Sequence, residues 1–457
     1  MKCPIDDKCP EILKNLCTVQ MATDVATPYS CILNKYDPSD RSNKCRIIQL
    51  LNRANQAYFV YTRWGKLDTA RKETLDCYLN LDLAVAAFRA KFLECTGIPW
   101  DNRLTDLAER PGFYNFIVMN YNIDEIIPET IETPLAPPIE SLMTRIFDMD
   151  LCRNTQIDES KQPLGMLSLT QIKKAYDILR EALETVDRNE NAAAAGSATT
   201  RYYSTIPTRK ENTQDLNTRE KIQSKLDFLT ELENMYYIGK NHKLSIHSKY
   251  LSLNAALRPV QPETAALIES YLGVNHGYHQ MKLKFREAFE IHKPAEEQQF
   301  RRWETLHNKQ LLWHGTQMTN VVGILTNGLC INPSVPVAVT GKMFGTGLYF
   351  ANVSTKSAGY LRISSGVGAM FLCEVALGNM YELKTAQQVT LPSGKHSVRG
   401  MGRYTPATDT YVNTGNDVTI PIGKIVESFD GQVLQYDEFI VYDQSQVKLR
   451  YLVLVDV

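Results

Sequence analysis

The stretch LLWHGTQMTN at residues 311–320 does most to decide the interpretation of this sequence. Three apolar residues precede His314 and Gly315, which predicts a buried strand that ends at a polar side chain. Thr319 is a candidate cap for a helix that follows. A polar side chain at such a strand end can face a cleft, so His314 is a candidate site residue.

The next stretch, TGKMFGTGLYFANVSTKSAGY at residues 340–360, is rich in glycine. A Walker phosphate loop needs G-x-x-x-x-G-K-[ST], whereas here Lys342 follows the first glycine. The third glycine of a Rossmann fingerprint is missing after Gly345 and Gly347. Hydride transfer on a Rossmann domain is therefore disfavoured.

Further outward lie EVALGNMYELK at 374–384, LPSGKHSVRGMG at 391–402 and YDEFIVYDQSQVKLRYL at 436–452. Apolar runs predict strands at 370–377, 438–443 and 447–457, and the last of them alternates apolar residues with Lys448 and Arg450. The mixture of short strands and helices marks residues 244–457 as the candidate catalytic domain.

Residues 139–243 have a helical pattern instead. Ile139 opens the first helix, and Ser168 is the predicted cap of a longer one. The stretch 192–197 is alanine-rich with polar flanks and is interpreted as a surface loop. Helical spacing predicts buried stripes at Leu142, Met143, Ile146, Leu169, Ile172, Tyr176, Leu179, Leu183, Val186, Ile222, Leu226, Leu229 and Leu232.

Residues 27–122 are β-rich, with strands predicted at 29–33, 46–51 and 58–63. A helix follows, with Asn80 or Asp82 as its cap, one apolar face and Gly97 at its end. Residues 1–26 are expected to form a mobile or loosely docked arm. The acids and prolines of 123–138 predict a linker.

The composition excludes several classes of protein. The 457 residues include 50 Lys and Arg against 51 Asp and Glu, so the whole chain is not strongly basic. No run approaches the ~18 apolar residues of a membrane span, and the first residues lack a secretory signal, so a soluble intracellular protein is expected. Ten cysteines at irregular spacing predict reduced thiols, and the first histidine is His242, so no metal site is expected.

These five blocks, in this order, resemble the poly(ADP-ribose) polymerase family. Upstream, PLGMLSLTQIKKAYDIL at 163–179 is similar to the family's helical regulatory domain, and YTRWGKL at 61–67 to its WGR domain. The resemblance covers all but the first 26 residues and is closest to the short, DNA-dependent members. It implies a multidomain α+β chain: a β-rich WGR-like domain, an all-α helical domain and a catalytic domain of mixed, antiparallel sheets in two layers.

The resemblance implies cleavage of the nicotinamide glycosidic bond of NAD and transfer of ADP-ribose to an acceptor, without a metal. Positive charge grows on the ribose carbon in such a reaction, so a carboxylate lowers the barrier. By similarity Glu438 is that carboxylate, and it also orients or deprotonates the acceptor hydroxyl. His314, Tyr349 and Glu438 match the family's catalytic set.

The same resemblance assigns NAD-binding residues. His314 would hold a ribose hydroxyl, and the Gly315 backbone would pair with the nicotinamide carboxamide. Tyr349, on a strand, and Tyr360, on the short helix opened by Ser354, could bracket the flat ring, and the Ser357 hydroxyl could donate to the carboxamide. Thr316 and Asn320 complete the set, with Asn320 on the adenosine ribose.

Two residues would lie toward the acceptor, Met343 and Lys356, although Lys356 fits a solvated helix residue equally well. The sequence also departs from the family pattern. The usual HGSR is HGTQ here, so Thr316 and Gln317 replace serine and arginine, and Cys330 stands where a basic residue is common. The loop at 332–341 is one residue longer than usual.

The WGR-like region carries 13 Lys and Arg against 10 Asp and Glu, a formal charge of +3. Basic side chains supply salt-dependent affinity for phosphates, and a tryptophan can stack on an unpaired base. The resemblance therefore predicts a DNA-binding surface at Arg63, Trp64, Lys66, Arg71 and Lys72. A domain kept mainly for docking is the alternative.

The sequence thus favours a nuclear enzyme that poly(ADP-ribosyl)ates proteins, including itself, when it binds DNA breaks with nicked or 5′-phosphorylated ends. The helical domain would block NAD access until DNA binds. The alternatives are mono-ADP-ribosylation by the same site, or a catalytically weak DNA-break-binding scaffold.

Overall fold

The computed structural model describes most of the chain in ranges separated by gaps. These are residues 3–22, 27–67, 72–106, 110–119, 134–148, 150, 167–188, 192–241, 244–331, 343–363, 366–387, 389–414, 417–428 and 434–457. Cα proximity divides the chain into two compact units. The first comprises residues 1–126 and 155–236, and the second 127–154 and 237–457.

An antiparallel sheet forms the centre of the first unit. Its strands run in the order β5-β4-β3-β2-β6, and β1 pairs with β3. The predicted strands at 29–33, 46–51 and 58–63 are confirmed as parts of β2, β3 and β4. The bounds are β1 (Thr18–Val19), β2 (Ser30–Asp37), β3 (Ser42–Arg53), β4 (Ala57–Lys66), β5 (Lys72–Tyr78) and β6 (Asn115–Ile117).

One helix covers this sheet. It is α2 (Leu81–Thr96), where α1 is Glu11–Leu16. The Asn80 side chain accepts a hydrogen bond from the Leu83 amide, and Gly97 ends the helix with φ of 67°. Phe88 and Phe92 are fully buried against the sheet. The predicted helix and its two end signals are confirmed.

The amino-terminal segment is docked, so the expectation of a mobile or loosely held arm is wrong for residues 3–22. Strand β1 pairs with β3, and Cys9, Leu13 and Cys17 share a buried cluster with Tyr61. Burial of apolar side chains gives this segment a stabilising contact that its short, unpatterned sequence did not predict.

The predicted helical region contains α3 (Pro137–Ile146), α4 (Leu169–Asp187), α5 (Ala192–Thr205) and α6 (Arg219–Lys240). Ser168 caps α4 as predicted, by accepting a hydrogen bond from the Gln171 amide. The predicted linker lies largely outside the described residues, and α3 begins at its last two positions. Helix α3 falls in the second unit, whereas α4, α5 and most of α6 fall in the first.

The surface loop predicted at 192–197 is instead the start of helix α5, because alanine favours helix and the following residues anchor it. Tyr202 and Tyr203 are fully buried. The Asn34 side chain donates to the Tyr203 carbonyl over 2.8 Å, and the Tyr36 amide donates to the Ser204 hydroxyl over 3.1 Å. Within the first unit, therefore, α5 packs directly on the edge of β2.

The second unit combines short helices with sheets. Its elements are α7 (Ile246–Leu251), β7 (Ala256–Pro259), α8 (Pro262–Val274), β8 (Lys284–His292), α9 (Pro294–Phe300), β9 (Lys309–Thr316), α10 (Val321–Asn327), β10 (Leu348–Phe350), α11 (Ser354–Ala358), β11 (Val367–Ala376), β12 (Met380–Leu383), β13 (Ser397–Gly400), β14 (Gly402–Pro406), β15 (Val412–Asn413), β16 (Val418–Ile420), β17 (Ile425–Glu427), β18 (Leu434–Tyr436), β19 (Glu438–Val441) and β20 (Val447–Asp456).

Its largest sheet has the order β15-β16-β9-β11-β20-β8-β7, and a second has the order β10-β19-β13-β12. The described residues add a small sheet, β17-β14-β18, to the two that were expected. The multidomain α+β class is confirmed. Trp313 and Met370 are buried in the core of the largest sheet.

The helix start near Thr319 differs from the prediction. Residues Met318–Asn320 form a 3₁₀ turn, and α10 begins only at Val321, without a side-chain cap. None of the helices in the described ranges is both long enough and apolar enough to cross a membrane.

Candidate active site

A cavity of about 260 Å³ lies where β9, β10, α11 and β19 meet. We call it the His314 cavity. Its walls are His314, Gly315, Gly347, Leu348, Tyr349, Phe350, Ala351, Lys356, Ser357, Tyr360 and Glu438. The segments are far apart in sequence but adjacent in space, because β10 pairs with β19 and Trp313 bridges to Ala351.

Gly315 allows α11 to approach β9 closely. A Cβ atom at this position would lie 1.8 Å from the Ser357 carbonyl oxygen, so no other residue fits without a backbone shift. The Ser357 hydroxyl donates to the Trp313 carbonyl over 3.0 Å. That hydroxyl can therefore accept a hydrogen bond from a ligand amide, whereas the sequence analysis expected it to donate.

His314 is held in one orientation by a 3.0 Å contact between its Nδ1 and the Tyr349 carbonyl. Burial lowers the pKa of His314, which favours the neutral ring. A carbonyl only accepts, so Nδ1 carries the proton and Nε2 is left as an acceptor. A ribose hydroxyl could donate to that nitrogen.

Tyr349 is fixed by its own hydroxyl. The hydroxyl donates to the Gly345 carbonyl over 2.7 Å and accepts from the Phe344 amide over 3.0 Å. Gly345 has φ of 87°, in the left-handed region. The ring is half-buried and its polar end is occupied, so its face is what it offers to the cavity.

Tyr360 lies two residues beyond the end of α11, in a turn and not on the helix as predicted. Its side chain is 51% exposed. Tyr349 and Tyr360 both line the cavity, which is the arrangement that the predicted stacking on a flat ring needs.

Glu438 is the acidic side chain of the cavity and is only 7% exposed. Its Oε1 lies 3.0 Å from Lys356 Nζ. Its Oε2 is buried and meets no hydrogen-bond donor in the described part of the chain. A buried carboxylate oxygen of this kind is costly unless something fills the site, so it marks a place for a ligand hydroxyl.

Lys356 belongs to the cavity and is not a solvated helix residue. Besides Glu438, its ammonium donates to the Tyr436 carbonyl over 2.8 Å. Burial lowers the pKa of Lys356, and the Glu438 carboxylate opposes that effect. Met343, the other predicted acceptor-side residue, does not line the cavity and packs half-buried near Tyr349.

The predicted adenosine side lies next to the cavity. The Asn320 side chain donates to the Thr316 hydroxyl over 2.9 Å, and Thr316 is buried. Neither residue lines the His314 cavity. The long loop predicted at 332–341 lies outside the described residues.

Four of the predicted DNA-binding residues, Arg63, Trp64, Lys66 and Lys72, lie on β4 and β5, and we call these four the Trp64 surface. Arg63 is 11% exposed and lies 2.5 Å from the Asp6 carboxylate, so the fold itself uses its charge. Lys66 pairs with Asp40. Lys72 is exposed beside Trp64, and Arg71 lies outside the described residues.

The sequence analysis missed charged residues at the Trp64 surface and beside the His314 cavity. Arg46 lies 5.7 Å from the Trp64 ring, and register across β3 and β4 was the signal for it. Asp437 and Arg399 form an ion pair next to Glu438. The two consecutive acids before the apolar run in QYDEFIVYD, residues 435–443, were the only sign of the second pair. In the described ranges, no group of three or more His, Cys, Asp and Glu side chains could hold a metal ion.

Family models match the chain in three places. Residues 29–106 match the WGR domain, residues 133–249 the regulatory domain of poly(ADP-ribose) polymerase, and residues 263–457 its catalytic domain. The matches follow one another in the order that the sequence analysis predicted.

Whole-chain relatives agree with these matches. The chain is 31% identical to poly(ADP-ribose) polymerase 2 of Homo sapiens, over 99% of its own length and 83% of that protein. The corresponding protein of Arabidopsis thaliana is 30% identical, with 97% and 75% covered.

Poly(ADP-ribose) polymerase 1 of Gallus gallus is 34% identical over 93% of the chain, which covers only 44% of that longer protein. The chain thus spans less than half the length of this relative. The similarity to the human protein extends over most of both sequences, and on this ground the chain belongs to the poly(ADP-ribose) polymerase family.

Proposed function

We propose that the chain is an NAD-consuming ADP-ribosyltransferase that builds poly(ADP-ribose) on proteins, including itself, after it binds DNA breaks. The single observation that carries this proposal is the convergence of His314, Tyr349 and Glu438 on one cavity. Family membership supplies the reaction class, and the contacts of the cavity supply a role for each side chain.

The nicotinamide end of NAD fits the cavity chemically. The two tyrosine faces offer stacking, which contributes about 0.5–1.5 kcal/mol beyond burial. The Gly315 backbone and the Ser357 hydroxyl offer hydrogen-bonding groups for the carboxamide. His314 Nε2 offers an acceptor for a ribose hydroxyl. Internal hydrogen bonds hold the side chains of His314, Tyr349 and Ser357 before NAD binds, so these three need little ordering on binding.

The transfer step breaks the bond between the nicotinamide nitrogen and the ribose carbon and forms a bond from that carbon to an acceptor oxygen. Nicotinamide leaves with the electron pair of the broken bond. Positive charge grows on the sugar, and the Glu438 carboxylate stabilises it. Glu438 Oε2, which has no donor in the described structure, is available to accept the acceptor's proton.

The acceptor side of the proposal rests on Lys356. Its ammonium orients the Glu438 carboxylate, and its positive charge attracts a phosphate of the incoming chain. A growing polymer presents a ribose hydroxyl to the same carboxylate each time. Elongation therefore needs both members of this pair.

DNA dependence rests on the WGR-like region, whose sheet and helices α4 and α5 form one unit. Trp64 and Lys72 remain the best placed of the predicted residues to meet a DNA end. In the proposal, helices of the regulatory region restrict NAD access until a break is bound. A nuclear location follows from such a role.

The test is incubation of the purified chain with labelled NAD, with and without a 5′-phosphorylated nicked duplex. We expect nicotinamide release and a ladder of long products, both stimulated by DNA. A single-size adduct would favour mono-ADP-ribosylation. DNA binding without nicotinamide release would favour the scaffold alternative, which the replacements at Thr316, Gln317 and Cys330 motivate. Equal NAD turnover with and without DNA would contradict the proposed activation by DNA breaks.

A further inference from the structure

Two carboxylates stand next to each other at the start of β19, and each meets its own cation. Glu438 pairs with Lys356 inside the His314 cavity at 3.0 Å. Asp437 Oδ2 lies 2.8 Å from Arg399 Nη2. Successive side chains of an extended backbone point to opposite faces, so the two ion pairs flank one stretch of chain. Asp437 and Arg399 do not line the cavity.

The Asp437 carboxylate is held more firmly than packing alone requires. It is 1% exposed. Its Oδ1 accepts from the Gly402 amide over 2.8 Å, and its Oδ2 accepts from the Thr405 hydroxyl over 2.8 Å and from Arg399 Nε over 3.2 Å. These donors lie on β13 and β14, so Asp437 ties the start of β19 to two other strands.

Lys356 depends on the same stretch of backbone. Its ammonium donates to the carbonyls of Tyr436 and Asp437, over 2.8 Å and 3.3 Å, and it pairs with the Glu438 carboxylate. Three consecutive residues therefore supply its acceptors. Anything that shifts this backbone shifts Lys356 relative to Glu438.

We infer that Asp437 is a positioning residue for the Lys356–Glu438 pair, and that its ion pair with Arg399 holds residues 436–438 in the geometry that transfer needs. The inference rests on the proposed function, because the pair has this importance only if Glu438 is the transfer carboxylate. Asp437 touches neither NAD nor the acceptor and acts through the backbone and its charge.

The charged groups around Lys356 determine the direction in which each substitution should shift its pKa. Burial lowers the pKa of Lys356, whereas the carboxylates of Glu438 and Asp437 raise it. His279 also faces Lys356, and burial, His276 and Lys356 lower the pKa of His279, which keeps that ring neutral. Three further titratable side chains line the cavity with Lys356, namely His314, Tyr349 and Tyr360. Burial lowers the pKa of His314 and raises the pKa of both tyrosines, so all three are neutral near pH 7.

Removing the Asp437 charge therefore lowers the Lys356 pKa further, and the ammonium is lost at a lower pH as pH rises. Removing the Arg399 charge leaves Asp437 uncompensated, so the Lys356 pKa rises. The two substitutions shift the Lys356 pKa in opposite directions, although both break the same ion pair. A loss of packing alone would not shift this pKa in opposite directions in the two variants.

The experiment measures kcat for polymer elongation against pH in the full chain with a nicked duplex. In Asp437→Asn we expect the alkaline limb to move down by about 0.5–1 pH unit, and elongation near neutral pH to fall about tenfold. In Arg399→Gln elongation should also fall, because the same ion pair is broken, whereas the alkaline limb should move up. The KM for NAD should stay within about twofold in both variants.

Glu382→Gln is the matched control. Glu382 also binds Arg399, at 3.1 Å, but its side chain is 48% exposed and it makes no contact with Lys356. Its profile should superimpose on that of the wild type. Elongation that stays at the wild-type rate in either variant, or alkaline limbs that do not move or that move in one direction in both, would overturn the inference.

An inactive wild-type chain would instead remove the proposed function. The Lys356 titration, followed by ¹⁵N NMR of the lysine ammonium groups and assigned with Lys356→Arg, then decides the inference without turnover. Opposite shifts of that titration support it, and a common value overturns it. If Asp437→Asn does not fold, the upward shift in Arg399→Gln alone carries the test.

Discussion

The His314 cavity and the Trp64 surface hold their charged side chains in opposite ways. In the cavity, Lys356 and Glu438 face each other away from bulk water, and Glu438 keeps one oxygen without a donor in the described structure. On the Trp64 surface, Asp6 and Asp40 already neutralise Arg63 and Lys66. The Glu438 carboxylate of the His314 cavity can still bind a ligand, whereas Arg63 and Lys66 of the Trp64 surface form ion pairs within the protein.

A basic motif on a surface is therefore weaker evidence for ligand binding than a buried polar group that has no partner. Desolvation makes an unsatisfied carboxylate oxygen costly, so its presence needs a reason. A surface arginine is satisfied equally well by a nearby acid or a phosphate.

Gly315→Ala should have the largest effect, because the added Cβ would fall 1.8 Å from the Ser357 carbonyl. We expect α11 to be displaced, NAD turnover to be lost and the free energy of unfolding to fall by about 3 kcal/mol. Thermal unfolding and nicotinamide release measure the two effects. Gly273→Ala in α8, where nothing lies within 4 Å, is the control and should keep both at wild-type level. Normal turnover in Gly315→Ala would contradict the close approach.

Glu438→Gln keeps the shape of the side chain and removes its charge. Elongation should fall by about 10²–10³-fold, because charge stabilisation is lost only in the transition state. The KM for NAD should change little. Product length on a gel and the KM from nicotinamide release are the measurements. A variant that makes normal polymer would show that Glu438 has another role.

Arg63→Gln separates stabilisation from binding. The buried pair with Asp6 is lost, so the free energy of unfolding should fall by about 2 kcal/mol, while affinity for a nicked duplex at fixed salt stays nearly constant. Lys72→Gln, on the exposed edge strand, should leave the free energy of unfolding unchanged and weaken DNA binding. The slope of log K for DNA against log salt concentration should fall in magnitude by about one. Thermal melts and a salt titration test both. An Arg63→Gln variant with normal stability and weak DNA binding would show that Arg63 binds DNA, as the sequence analysis predicted.

Tyr360→Ala should have the smallest effect. Half of the ring is already exposed, so its loss should cost about 1 kcal/mol of stacking and raise the KM for NAD about fivefold, with little change in stability. Phe113→Ala in the first unit removes a similarly exposed ring, 42% accessible, and is the matched control. An unchanged KM in Tyr360→Ala would indicate that Tyr360 does not stack on the substrate.

Much of the local structure followed from the sequence. Asn80, Gly97 and Ser168 mark helix ends as predicted, because capping involves groups within a few residues of each other. Apolar runs located β2, β3 and β4 in the first unit and β11, β19 and β20 in the second. The low-complexity composition misled at residues 192–197, which begin α5 because alanine favours helix and because Tyr202 and Tyr203, later in the same helix, are buried.

Motifs of adjacent residues were enough to identify the family, the order of its regions and the residue types of the candidate site. The pairing of the charges, in contrast, depends on contacts that form only in the folded chain. Asp6 and Arg63 are 57 residues apart in sequence, and Lys356 meets the 436–438 backbone about 80 residues away. Ion pairs and carbonyl contacts form between groups that folding brings together, and no local pattern records which partner a charge will find.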